Sequence, residues 1–310
     1  MSQSTVETPT ARDGRTVRTV RSTRIARAAR ARWPLGKARR NRREDPAGTA
    51  ERAVFRHALH AEWIKLRTMR STLYVVLGTL VAGAGLASLN GSASGGEYAT
   101  MTAADRIAFD PLAISTKGYI LAQLSLALLG GLVVTAEYGS RTIVGTLTAV
   151  PRRGRVLAAK AAVLTAIALP TGVLTTLGGF LVGQAALEGA GAPHVALGDA
   201  GSWRVVLGGG LYLALAGLLG LAAGTLIRST TATVTTLFTV MLIVPALAPA
   251  LPGPVADRAV KYWPPSAGGQ ILTGYRDPAL LAPWPGLAVM AGCVMILLTA
   301  AFVTFRRRDA

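Results

Sequence analysis

The chain has 310 residues, 51% of them hydrophobic and 15% charged, yet its formal net charge is +18. These figures exclude a water-soluble globule of uniform composition, because 18 of the 33 Lys and Arg residues precede Ser71 and the remainder flank apolar runs. A single cysteine, Cys293, leaves no disulfide partner and no metal-ligand spacing, and the three histidines, His57, His60 and His194, lie outside the apolar runs, so neither a metal nor a cofactor is expected.

Residues 1–50 are rich in Arg, Ser, Thr and Ala and poor in the large apolar side chains that a fold would bury. They read as a disordered, basic, cytoplasmic tail weakly attracted to anionic lipid. The segment lacks the apolar centre of a secretory leader, and no nucleic-acid partner is expected.

Residues 51–70 read as an interfacial helix. In "RAVFRHALHAEWIKLRTMRS", Phe55, Leu59, Trp63 and Leu66 fall on one helical face, and Arg52, Arg56, His60, Lys65 and Arg67 supply a basic remainder. Glu62 lies close to the apolar stripe, paired either with Lys65 three residues on or with a cation from elsewhere in the fold.

A membrane-crossing helix needs roughly 20 mostly apolar residues, since each adds about 1.5 Å to a path of about 30 Å. Six stretches qualify, at about 71–89, 114–136, 156–182, 203–227, 231–251 and 284–304, and predict an all-α integral membrane domain over 71–310. The basic tail, the 137–155 loop, Arg228 and Arg306 to Arg308 then share one side, which places both termini in the cytoplasm of a cell-membrane protein. On the other side, 90–110 predicts a Gly/Ser turn and a short helix near Tyr98 to Ala108, and 184–202 an irregular loop. The proline-rich run after Leu251, with Tyr262, Trp263 and Trp284, suits the membrane interface and a re-entrant element.

Inside the spans the sequence offers no charge at mid-depth, with Lys117 and Lys160 placed near interfaces. An ion-driven carrier keeps titrating or coordinating groups there, so secondary transport is disfavoured. No "GxxxxGK[ST]" loop is present to grip ATP. Gly217, Gly220 and Gly224 allow close helix approach, read first as packing within the bundle and second as a dimer seam. Thr235 and Thr239 share a face and either bond back to their own helix or line a path. Pro170, Pro245 and Pro249 predict kinks.

Between the second and third spans lies "EYGSRTIVGTLTAVPRRGRVLAAK", from Glu137 to Lys160. Ile143, Leu147 and Val150 recur at i, i+4 and i+7, so about two turns of helix present an apolar strip that ends at Pro151 before a basic cluster. Such a short helix is marginal without something to pack on. The bland alternative is a surface helix resting on lipid, with Arg152, Arg153 and Arg155 as topology anchors.

At these residues, approximately Arg56 to Asp309, the chain resembles the permease subunit of an ABC transporter of the ABC-2 type, in particular small six-span bacterial permeases. "AEWIKLRTMRST", "EYGSRTIVGTLTAVPRRGRVLAAK", "GLLGLAAGTLIRSTTATV" and the closing "RRRDA" carry the resemblance by their order and spacing. The resemblance implies a connecting helix containing Glu62, Trp63 and Lys65. It implies a cytoplasmic coupling helix that docks on a separate ABC ATPase subunit, with Glu137, Tyr138, Gly139, Thr142, Ile143, Leu147 and Pro151, and with Arg153 and Arg155 beside it. The pattern departs from the family at "GSRTI", where Arg141 interrupts the usual Gly-Thr-Ile run. A second permease copy, identical or paralogous, is implied, as is ATP hydrolysis outside this chain, which has no catalytic residues of its own. An apolar interior suits an amphipathic or drug-like cargo for export. The competing expectation, from a different class, is a membrane scaffold or sensor acting through its basic tail.

Overall fold

Long runs of Leu, Ala, Val and Gly without charge can leave water only if every backbone donor and acceptor is satisfied within the segment, which selects helices. The computed structural model describes residues 47–139 and 153–307, and all regular structure among them is helical. Six helices are long and apolar enough to cross a membrane: Arg70–Tyr98, Pro111–Gly139, Gly154–Gly189, Ser202–Ile227, Thr230–Ala250 and Pro283–Arg307. The chain is therefore a multi-pass membrane protein by length and composition. Residues 140–152, which hold the expected coupling helix, lie outside the described residues, as does nearly all of the expected tail.

The amino-terminal helix α1 (Ala47–Thr68) begins inside the stretch assigned to the tail. It stops at Met69, whose φ of −73° and ψ of 118° lie outside the helical range, and the first span α2 (Arg70–Tyr98) starts at the next residue. The turn expected at 90–98 is instead helix. Gly91 explains this: a side-chain carbon there would sit 2.7 Å from the Gly183 carbonyl oxygen, so the small residues let two helices touch, and packing outweighs weak helix propensity. A short α3 (Ala103–Ile107) follows, capped by Thr102, whose hydroxyl accepts from Asp105 N.

Asp110 then opens α4 (Pro111–Thr116). Its Oδ1 accepts from Leu112 N and Ala113 N at 3.0 and 3.1 Å, and its Oδ2 accepts from Gly274 N and Tyr275 N at 2.7 and 2.9 Å. One carboxylate thus caps a helix and fastens a distant loop. The second span continues as α5 (Tyr119–Gly139), and the third is α6 (Arg153–Gly189), which carries Pro170 without interruption. At the far end of α6, Gln184 donates to Pro111 O and Ser115 Oγ and accepts from Val195 N, so the irregular 190–201 loop is tied to the bundle.

The fourth span α7 (Ser202–Ile227) is the most buried of the six, packed by α5, α6 and the last span. Its contact with α5 is backbone to backbone: a side-chain carbon on Gly220 would collide with the Ala127 carbonyl, and one on Gly224 would lie 2.7 Å from Gly131 O. Both glycines therefore serve packing inside the bundle.

The fifth span is composite. It runs as α8 (Thr230–Phe238), a π-turn at Thr239–Ile243, α9 (Val244–Leu247) and a 3-10 turn to Ala250. Pro245 supplies the cause, because it has no N–H for the Met241 carbonyl four residues back or, once the helix widens, for the Val240 carbonyl five back. Side chains from elsewhere take both: Gln123 Nε2 donates to Met241 O at 3.5 Å and Trp263 Nε1 donates to Val240 O at 2.8 Å.

After α10 (Gly253–Tyr262), the chain turns inward as α11 (Pro264–Gly269) and a 3-10 turn through Leu272, before the last span α12 (Pro283–Arg307). Gly268 packs on the ring of Tyr212 and on Met290. Tyr212 lies ten residues into α7, roughly 15 Å from its start, so this segment re-enters the bundle.

Candidate functional site

At the end of the bundle where α5 stops and α6 starts, four charged side chains from three helices converge. Lys160 is the hub, 1% exposed and two turns into α6. Its Nζ donates to Glu62 Oε2 of α1 at 2.9 Å and to Glu137 Oε1 of α5 at 2.6 Å. Lys65 of α1 also pairs with Glu137 Oε1. Glu62 is 6% exposed and Glu137 3%, whereas the Lys65 side chain keeps 40% of its surface exposed.

Two carboxylates and two ammoniums balance in charge, which is what allows the group to be buried. Removing ions from water costs several kcal/mol each, and only close opposite charges recover that cost. The cluster joins the amino-terminal helix to both sides of the 140–152 segment. It can therefore hold three helix ends in register, and a displacement of any one must strain or break an ion contact.

The buried face of α1 decides between the two readings of Glu62. Ala58, Glu62 and Leu66 recur every four residues and are all buried. The acid sits at the centre of that face and meets a cation from another helix, Lys160, rather than Lys65. Trp63 falls outside the face, 39% exposed, where it borders an open hollow with Arg56, His57, His60 and Val163.

Tyr138 is half-buried next to the cluster, and the Arg228 guanidinium stands over its ring at 5.3 Å from the centroid. Arg228 ends α7 in the left-handed conformation, with φ of 58°, which costs a non-glycine residue about 1 kcal/mol or more and here aims the cation at the ring. Gly139 closes α5 and is exposed with open space around it. Arg153 is the first residue of α6, and Arg155 follows within its first turn, half-buried. Thr142, Ile143, Leu147 and Pro151 lie outside the described residues.

The hydroxyl pair on the fifth span has separate fates. Thr235 and Thr239 are both exposed, and Thr235 Oγ1 donates to Thr231 O at 3.0 Å, back onto its own helix. Thr239 begins the π-turn. A polar group absent from the sequence expectations lies deeper: Tyr212 donates its hydroxyl hydrogen to Gln123 Oε1, so Tyr212, Gln123, the π-turn and Trp263 form one chain of hydrogen bonds.

Lys160 is the principal residue the sequence reading missed. The available signal was a lysine interrupting "LAAKAAV", which needs a buried anion, with Glu137 as a candidate in the preceding segment. Among the described residues no group of three or more His, Cys, Asp and Glu side chains could hold a metal ion. A comparison with models of known protein families returns no match, and a comparison with curated proteins returns none.

Proposed function

We propose that the chain is the transmembrane permease subunit of an ABC transporter of the ABC-2 type. In this reading it lies in the cytoplasmic membrane with both termini in the cytoplasm and pairs with a second permease chain. A separate ATPase subunit supplies the energy for exporting an amphipathic or drug-like substrate. The observation that carries the reading is the Glu62–Lys160–Glu137–Lys65 cluster, which fastens an amino-terminal helix to the two spans bordering the 140–152 segment.

The mechanism follows from that connection. A push on the 140–152 segment arrives at Gly139 and Arg153, the ends of α5 and α6, and the ion contacts pass it to α1. Backbone contact between α5 and α7 carries it on into the centre of the bundle. The work is thus done on the permease from outside, and the bundle exchanges between inward and outward openings.

The test is purification of the tagged chain from its native host, comparing the native chain with Glu137→Ala and Leu147→Asp for the ATPase recovered with each and for transport. Both variants are expected to insert in the membrane, to recover less ATPase on purification and to transport more slowly. Unchanged recovery together with unchanged transport removes the coupling assignment.

A further inference from the structure

A cavity of about 310 Å³ lies beside the ion cluster, between α1, the start of α2 and the last turns of α5. Its walls are mostly apolar, including Leu66, Val75, Leu129 and Val133; Glu62, Lys65 and Ser71 also line it, and its remaining polar side chains are Thr72 and Glu137. Both of these residues are more than nine-tenths buried, and each carries a buried oxygen with no hydrogen-bond partner: Thr72 Oγ1 and Glu137 Oε2. The carboxylate is used asymmetrically, since both lysines crowd onto Oε1.

An unpaired buried carboxylate oxygen is costly, and such a cost marks a place where a donor is due. We propose that this cavity binds a lipophilic primary ammonium, a hydrocarbon tail lying among the apolar side chains and a protonated amine donating to Glu137 Oε2 and Thr72 Oγ1. A head with three N–H donors has one for each orphaned oxygen, whereas an alcohol has a single O–H. The charge also balances. The cluster is neutral as it stands, and Lys65, being partly exposed on a long flexible stem, can move its ammonium to the headgroup region when another takes its place on Glu137.

The size is at the lower end of the range for small-molecule pockets, suited to a single medium-length tail. Met69 and Leu132 are cavity residues with exposed side chains on the outer surface of the bundle, so a ligand enters sideways from the lipid. Free alkylamines and aminophospholipids share the required head. The site does not depend on the transporter reading, because it needs no partner subunit.

The test uses the full purified chain alone, in nanodiscs of phosphatidylcholine, whose quaternary head donates no hydrogen bond. The probe is dodecylamine with a diazirine in its tail, and labelled peptides are mapped by mass spectrometry. Label is expected in 66–75 and 129–137, with decylamine competing about tenfold better than decanol, the ratio set by a charge-assisted hydrogen bond. Thr72→Val should lower labelling severalfold, and Leu132→Trp, which plugs the mouth without touching an ion contact, should abolish it. Adding phosphatidylethanolamine separates the sources: lost labelling identifies the lipid head as the occupant, and retained labelling identifies the free amine. Label confined to other segments, equal competition by decanol, or full labelling of both variants would overturn the proposal.

Discussion

Lys160→Met tests the hub of the ion cluster directly. Methionine nearly matches lysine in length and volume, so the packing of α6 is kept and only the charge is removed. Each Lys160 contact, at 2.9 and 2.6 Å, represents roughly 6 kcal/mol of Coulomb attraction at an effective dielectric constant of about 20, before desolvation is subtracted. The substitution leaves Glu62 and Glu137 buried with Lys65 as their remaining cation. Removing one partner of a buried pair costs about 3 to 5 kcal/mol, and that is the expected loss. Lys65→Met, at a partly exposed position, should cost about 1 kcal/mol or less, because solvent screens that pair. The informative variant is Lys160→Met combined with Glu62→Gln, which removes an uncompensated acid and should recover a large part of the loss. Reversible unfolding in mixed micelles by denaturant titration, followed by Trp fluorescence, measures all of these. A Lys160→Met chain as stable as the native one within about 0.5 kcal/mol would refute the argument that this charge is paid for by its partners.

Other substitutions probe the fold that holds the cluster. Asp110→Asn leaves one acceptor where two served four N–H groups, and should lower stability by about 2 to 3 kcal/mol, read from the same titration. Trp263→Phe strands the Val240 carbonyl and should cost about 1 to 3 kcal/mol, with hydrogen exchange accelerated in 239–247. Gly220→Val forces a side chain into the Ala127 backbone and should reduce the yield of folded chain sharply. By contrast, Gly78→Ala meets open space within its helix and should be neutral or stabilising by about 0.5 to 1 kcal/mol, as thermal unfolding will show.

Much of this architecture was legible because apolar length reports directly on a membrane path. All six spans start within three residues of their expected positions. The ends of the first and third were placed too early, since 90–98 and 183–189 contain glycine and alanine that look like loop until the two helices are seen to need them for contact. In the candidate site, Glu62 and Glu137 were legible as acids in the wrong company, whereas the face of the first helix that packs on the bundle, through Ala58, Glu62 and Leu66, is offset from its apolar stripe and leaves Trp63 exposed. Lys160 was missed because a lysine near a span end ordinarily reaches for the headgroups, and only three-dimensional proximity shows that two acids wait for it instead. The π-turn was foreshadowed by Pro245, but which side chains would serve its stranded carbonyls is a property of the whole bundle.

The glycine seam has a mechanical corollary. Helices in contact through their backbones at Gly220 and Gly224 cannot slide past one another without first separating, so α5 and α7 behave as a single stiff beam. The beam is about 30 Å long, so a tilt of about 10° at one tip sweeps the other through roughly 5 Å. One tip carries Glu137 and Arg228; toward the other lie Tyr212 and Gln123, and Gln123, which accepts from Tyr212, donates to the widened turn of the fifth span. A tilt imposed at one end of the seam therefore reaches the other end undamped.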